Sequence, residues 1–395
     1  MTTSICIAGA GIAGPALAYW LKRYGFEPVL VERAPRFRGG GYVIDFWGVG
    51  FDVAERMELI SELRERGYDM DRLRYLRDDG RTRSELDAGS IHRAIGDRFT
   101  SLPRGELAAA IFARVEHEIE TMFGDSIRSF VDDGRGVEVT FEHGGTRRFD
   151  LLVGCDGVHS STRAQLFGPT AAAVAYLGYV AAAFVTAGYP DRDDHAYVSW
   201  AAPGRQISRY ALRDDRTAFL LVCARDEAPA LHDHASQVEL LLETFREDTW
   251  RELPAIRERL AACDELYFDT VAQVHAPAWS RGRVALLGDA AYCPSLLAGA
   301  GSSYAMAGAY LLAGELARAA GDHQVAFAAY EQRFRPFIER KQKAARRFAS
   351  SFAPRSSFGL WVRDRALGVM KIPGLGDWLI RRTVADDFDL PDYGA

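Results

Sequence analysis

The sequence predicts an α/β protein: a Rossmann-like parallel sheet, an antiparallel β-sheet inserted into it, and a long helix near the C-terminus. Three observations carry that reading. The chain opens as strand, glycine turn and helix in "SICIAGAGIAGPALAYWLKRYG". Two further short apolar runs, "DLLVG" and "RVALLG", each lead into an aspartate beside a glycine. Between them lies a segment of β-like runs.

The first element places Gly9, Gly11 and Gly14 in a GxGxxG turn directly after the apolar run Ile5 to Ala8. The first glycine permits a tight turn, the second lets backbone approach a pyrophosphate, and the third lets helix and strand pack closely. The helix start, from Ala13, then offers unpaired N–H groups to the phosphates. A second strand, "PVLV", ends at Glu32, eighteen residues past Gly14, where an acid meets ribose hydroxyls. An acid at that point suits the free ribose of FAD or NAD.

The second and third elements are "FDLLVGCDGVHSSTR" and "RVALLGDAAYCPSLLAGAG". The former gives Asp156, Ser160 and Arg163 at the spacing DGxxSxxR; the latter gives Asp289 between a strand and a glycine-rich helix start. Gly299 and Gly301 allow close approach there, and a helix N-terminus stabilises a negatively charged ligand.

In that order the three motifs resemble the group A FAD-dependent monooxygenases, the fold family of p-hydroxybenzoate hydroxylase. The resemblance spans roughly residues 1 to 340 and implies FAD as the bound cofactor and NADPH or NADH as a transient reductant. By the same resemblance Asp289 holds the ribityl chain, Asp156 links the FAD and nicotinamide sites, and Arg104 in "SLPRGELAAAIFARV" reaches the FAD phosphates or ribityl chain. The stretch "GGGYVIDFWGVGFDVAERMEL" resembles the tetracycline-inactivating members, whose aspartate beside the flavin matches Asp45; Gly41 precedes it and Arg33 follows Glu32. Many relatives carry histidine at Tyr292 and proline at Leu296. Here the proline stands at Pro294, which leaves the loop beside the flavin open to a different shape.

The divisions that follow are residues 1–170 with 275–320 as a discontinuous FAD domain, 171–274 as the substrate sheet, and 321–395 as a bridging helix and tail. The insert reads as strands at "VAYLGYVAAAFV", "HAYVSWAA", "RQISRYALRDDRTAFLLVCA" and "LYFDTVAQVHA", with a turn at "RDD" and one helix at "SQVELLLETFRED". Residues 170–189 carry no charge, yet their alanine richness favours a sheet strand over a membrane span. Substrate candidates on this sheet are Tyr197, Arg209, Tyr210 and Phe219, with Leu296 from the loop; Trp200, Gln206 and His232 are weaker ones. Residues 322–350 read as one helix containing Pro336.

Composition narrows the partners. A chain of 395 residues suits two subdomains, and a net charge of -6 argues against nucleic acid. Five scattered cysteines without CxxC spacing fit reduced thiols in the cytoplasm, and no metal-ligand cluster is present. The N-terminus lacks a signal-peptide pattern. No stable membrane association is expected, and the protein is expected as a monomer or weak homodimer.

The resemblance therefore implies an NAD(P)H-consuming monooxygenase that hydroxylates an aromatic, phenolic or polyketide-like small molecule, tetracycline types included, with O2 and a flavin C4a-hydroperoxide. The hard chemistry belongs to the cofactor, and the protein holds and shields it. Two other readings stay open: a FAD-fold binding or sequestering protein without turnover, and a flavin dehydrogenase or oxidase.

Overall fold

The computed structural model describes residues 2–37, 42–68, 71–87, 98–170, 174–231, 233–369 and 386–394. Gly41 and His232 lie outside them. The opening unit is β1 (Ser4–Ala8), α1 (Ala13–Arg23) and β2 (Glu27–Glu32), followed by β3 (Val43–Trp47), α2 (Val49–Arg56) and α3 (Ile60–Arg66). Next come β4 (Arg72–Leu76), β5 (Thr82–Asp87), β6 (Phe99–Pro103), α4 (Arg104–Ala113) and β7 (Glu120–Phe123). A meander of β8 (Ile127–Asp132), β9 (Val137–Phe141) and β10 (Thr146–Phe149) leads to β11 (Leu151–Gly154) and α5 (Ser161–Phe167).

The middle of the chain holds β12 (Val174–Ala187), β13 (Ala196–Ala202), β14 (Arg205–Ala211), β15 (Arg216–Ala224), α6 (His234–Thr244), α7 (Leu253–Ala261) and β16 (Tyr267–Val274). It returns through β17 (Ser280–Arg281), β18 (Val284–Leu286), α8 (Asp289–Tyr292), α9 (Gly301–Arg318), α10 (His323–Phe352) and α11 (Ser357–Val369).

The apolar runs that lack alternation, in β1, β2, β11 and β18, form parallel neighbours buried on both faces. Their sheet has the order β17-β18-β11-β1-β2-β7, so the strands that end in Ala8, Gly154 and Leu286 lie side by side. Helices α1 and α9 cover one face, with the Trp20 and Tyr310 rings 4.8 Å apart between them. This is the Rossmann-like half expected from the sequence.

The second sheet runs β16-β12-β15-β14-β13-β4-β5. Its last two strands come from residues 72–87, so this sheet is not assembled from the inserted segment alone. The charge-free run is β12, paired antiparallel on both sides by β15 and β16. Among the described residues no helix is long and apolar enough to cross a membrane. The turn between β14 and β15 uses Asp214 and Asp215 at φ 58 and 53, the left-handed conformation that short polar residues tolerate. α10 is continuous through Pro336.

Period-two alternation gives the second sheet two unlike faces. One face sets Phe184, Trp200, Ile207 and Phe219 against α6 and α7, whose Leu241, Leu253, Ile256 and Leu260 complete an apolar cluster. Arg209 points the same way and makes a bidentate pair with Glu252, at 2.7 and 3.1 Å. Tyr189 donates to the same carboxylate at 2.7 Å. The opposite face carries Tyr197, Ser199, Gln206, Ser208 and Tyr210 and looks toward β3. Arg209, Phe219 and Trp200 therefore belong to the helix-covered core, which corrects their reading as substrate residues.

Removing one partner from a buried ion pair leaves the other charge stranded. Arg209→Ala is expected to lose about 3–5 kcal/mol of unfolding free energy in a denaturant titration, with FAD affinity unchanged. A loss of ligand or cofactor binding at full stability would contradict this placement.

Candidate active site

The loops after β1, β11 and β18 enclose a cleft of about 750 Å3. It is lined by Gly9, Gly11, Ala13, Glu32, Arg33, Arg104, Asp156, Asp289, Leu296, Gly299 and Gly301. Apart from Arg104, which follows β6 of the separate β3–β6 pair, these widely spaced residues come together because the strands they follow end at the same edge of one sheet, where open α/β sheets bind ligands.

The glycine turn is built on missing side chains. A Cβ on Gly14 would stand 2.0 Å from the Gly9 carbonyl oxygen, and one on Gly9, at φ 104, would stand 2.6 Å from the Cys155 carbonyl oxygen. Glu32 fixes the turn from the side: its carboxylate accepts from the amides of Ala10 and Ala34, each at 2.8 Å. The first turns of α1 and α9 have no side-chain cap, whereas α5, α6 and α10 are capped by Ser160, Asp233 and Asp322. The two uncapped starts that border the cleft keep amide donors for an anion.

Asp156 is occupied by its own helix. Its carboxylate accepts from Ser160 Oγ at 2.5 Å and from the Thr162 amide and hydroxyl at 2.9 Å each. Arg163, buried, carries the structural link that the DGxxSxxR spacing concealed: Nη1 donates to the Ala290 carbonyl at 2.9 Å and Nη2 to the Val158 carbonyl at 2.6 Å. One guanidinium thus ties the loop after β11 to the residue beside Asp289.

Burial pushes the Asp289 carboxyl above its ordinary range, with Arg104 opposing the shift. Arg104 reaches the glycine turn as well, its Nη2 3.8 Å from where a Gly11 Cβ would stand. Sequence reasoning missed Tyr42 and Tyr267, whose rings lie 5.3 Å apart across the cleft mouth. Burial raises the Tyr42 phenol to about 12.

The loop with the unusual residues is firmly braced. Tyr292 turns away from the cleft into the core, 1% exposed, with its hydroxyl 3.2 Å from that of Tyr330. Two buried glutamines hold the turn: Gln273 Nε2 donates to the Pro294 carbonyl at 2.8 Å, and Gln342 Nε2 to the Cys293 carbonyl at 3.1 Å. Ser295 takes φ 123, a left-handed value for a residue with a side chain, and its Oγ accepts from the Leu297 amide at 3.3 Å. Nothing in local sequence marks those glutamines, because their partners are backbone carbonyls on distant segments.

Alternation along β3 sorts the remaining candidates. Ile44 faces the cleft, while Val43, Asp45 and Trp47 face the second sheet. Asp45 is therefore turned off the cleft, against its reading as a cofactor residue, and Tyr197 and Tyr210 lie on the sheet it faces.

The FAD binding domain family matches residues 2–345. A flavin-dependent monooxygenase from an unknown prokaryotic organism is 33% identical over 368 residues, covering 93% of this chain and 91% of the relative. An FAD-dependent monooxygenase of Sarocladium schorii is 30% identical, covering 98% of this chain and 97% of its own. The crystal structure of tetracycline destructase Tet(51) superposes with a TM-score of 0.84 at 30% identity, covering 100% of both chains. The chain belongs to the FAD-dependent monooxygenases of the p-hydroxybenzoate hydroxylase fold. It is an oxidoreductase that uses FAD, with NAD(P)H as reductant.

The residues present fit FAD: a glycine cradle that a Cβ would fill, two uncapped helix starts for anionic groups, and Glu32 at the ribose position. Gly14→Ala is expected to weaken FAD binding at least roughly tenfold, read by flavin fluorescence during dilution, because the added carbon displaces the Gly9 carbonyl. Gly308 on α9 gives a second test, since a Cβ there would stand 2.0 Å from the Tyr292 hydroxyl. Gly308→Ala should lower unfolding free energy by about 1–3 kcal/mol. Adding Tyr292→Phe should recover most of that loss.

Proposed function

We propose that this chain hydroxylates an aromatic, phenolic or polyketide-like small molecule, bound between β3 and the polar face of the second sheet. The observation that carries the reading is the make-up of that face. Tyr197 and Tyr210 stack with ring centroids 5.9 Å apart. Beside them a chain of hydrogen bonds runs from Arg363 through Gln206 to Ser208 and Ser199, at 3.0, 3.2 and 2.9 Å. Aromatic faces with a few fixed polar groups suit a planar, oxygen-rich ligand. The 30% identity to a tetracycline destructase supports a multi-ring ligand of that kind.

FAD, when bound, accepts reducing equivalents from the nicotinamide nucleotide and delivers oxygen to the substrate. This chain's residues place it. The amides at the start of α1 would hold the pyrophosphate, Glu32 would meet the ribose, and Asp289 with Arg104 would flank the ribityl chain. The start of α9, opened by Gly299 and Gly301, offers its free amides to the negatively charged edge of the reduced ring. The sheet and α11 cover the substrate side, where Arg363 sits 4.4 Å over the Tyr75 ring.

The first experiment is an anaerobic titration of the FAD-loaded protein with NADPH and with NADH, followed by flavin absorbance. Bleaching that an aromatic ligand accelerates, and a product heavier by one oxygen atom once air is admitted, is the expected result. A bound flavin that neither nucleotide reduces, with or without ligands, would overturn the proposal.

A further inference from the structure

Among the described residues, most deeply placed acids outside the cleft have partners that explain them, and Asp289 lies in the cleft with Arg104 acting on it. Glu252 pairs with Arg209, Glu315 with Arg318 and Arg333, Asp386 with Lys341, and Asp248 with Arg205. Asp125 accepts from the amides of Ser126 and His143. Asp45 is different. Its Oδ1 accepts from Ser101 Oγ at 2.6 Å, and among the described residues no cation lies within ion-pair distance and nothing donates to Oδ2.

The register of β3 with β6 pairs Asp45 with Ser101 directly, so the serine holds the carboxylate in one orientation. Burial drives the Asp45 carboxyl above its ordinary range, and the Ser101 hydroxyl only partly opposes it. A carboxylate in low dielectric without a cation is costly to keep, so a fold that retains one calls for a reason. Asp45, Trp47 and Tyr197 all keep some accessible surface, although they lie between β3 and the sheet. They line a void. Trp47 borders the flavin loop: its ring tip is 3.7 Å from where a Gly299 Cβ would stand. On the sheet side the Tyr210 hydroxyl is buried with no hydrogen-bond partner among the described residues.

We propose that Asp45 is the hydroxyl anchor of the substrate pocket, its Oδ2 accepting the hydrogen bond of a phenolic or enolic O–H. The proposal rests on the functional reading above in one respect, that the ligand occupies the space between β3 and the sheet. The hydroxyl becomes more electron-donating as it gives its hydrogen to a carboxylate, which enriches the ring or enol carbon that receives oxygen. Complete transfer breaks the substrate O–H bond, forms an Asp45 O–H bond and leaves the electron pair on the substrate oxygen. No oxidant enters that step. A site built to take an O–H hydrogen bond rejects the analogue that lacks the hydrogen, because the buried acceptor is then left unpaired.

The test uses FAD-loaded protein and paired ligands: 7-hydroxycoumarin with 7-methoxycoumarin, and 1-naphthol with 1-methoxynaphthalene. Affinity is read from the ligand-induced change in the flavin visible spectrum. In the wild type at least one phenol should bind about tenfold or more tightly than its ether. Asp45→Asn should bring that ratio to about two or less at unchanged FAD content and melting temperature. Ser101→Ala, which disturbs the same strand pair but keeps the carboxylate, should retain the preference. An unchanged ratio in Asp45→Asn, equal binding of phenol and ether by the wild type, or binding of neither pair would each overturn the proposal. A protein that discriminates the hydroxyl through Asp45 while NADPH and NADH fail to reduce its flavin would keep this inference and sink the monooxygenase reading of the site.

Discussion

Three loops of this chain meet across glycines, and the cleft exists because they can. The Gly9 carbonyl occupies the space that a side chain on Gly14 would fill, and the Cys155 carbonyl occupies the space beside Gly9. Gly288, at φ 66, brings the third loop against Ala13, with 3.1 Å between the Ala13 methyl and a notional Cβ. The first two contacts set backbone against backbone at a distance no side chain allows, and the third sets the Gly288 backbone against a methyl group. The helix starts are consequently aimed at one volume, and the parallel sheet supplies the shared edge from which they leave. Arg163 then welds two of the loops together through carbonyl oxygens, so the geometry does not depend on a bound ligand to hold it.

The parts of this arrangement that were legible in the sequence are the local ones. A glycine turn after an apolar run, an acid at the end of the next strand, and an aspartate before a glycine-rich helix start each announce themselves within a few residues. The face of a strand does not. Alternation along β14 puts Arg209 on the side of Ile207 and Tyr210 on the side of Ser208, yet the sequence offers both as substrate candidates. It could not tell that α6 and α7 cover the first side, because that fact belongs to segments that begin only at His234. The same gap misplaced Asp45, whose neighbour Ile44 lines the cleft. The last two strands, β4 and β5, were hidden for a related reason: they join the sheet through β4, whose pairing with β13 is long-range and parallel. Gln273 and Gln342 gave no signal at all, since a glutamine that satisfies buried carbonyls looks like any surface glutamine.

The two faces of the second sheet treat polar groups in opposite ways. On the helix-covered face every strong charge is neutralised inside the fold, as in the set of Arg209, Glu252 and Tyr189. Such a closed network has no capacity left for a ligand, and its function is to fix packing. On the open face the groups are hydroxyls, an amide and phenols, weaker and easier to desolvate. They link to one another in a chain that ends at Arg363 on α11, so the helix that covers the face is also tied to it. Recognition by neutral groups of this type favours hydrogen-bond pattern over charge, which fits the net composition of the face with Asp45 as its one strong acceptor.

β3 separates the cleft from that face and belongs to both. Ile44 and Phe46 pack toward the cofactor side, while Asp45 and Trp47 look toward the sheet, so any slip of this strand would misplace both sets at once. Its ends are held accordingly. At the start the Tyr42 carbonyl accepts from the Arg104 amide at 3.0 Å, coupling the strand to the residue that faces Asp289. At the finish the Trp47 carbonyl accepts from Ser303 Oγ at 3.0 Å, on the first turn of α9. The next turn is secured from the far end of the chain: Asp386 Oδ2 accepts from the Val49 amide at 2.9 Å while Lys341 holds Oδ1 at 2.8 Å. Residues 386–394 continue as a strap, with Phe388 packed on Phe334 and Phe337, and with Tyr393 donating to Glu315 at 2.7 Å. The C-terminal segment therefore reaches the cleft without touching it, by pinning the strand through which the cleft and the second sheet share one register.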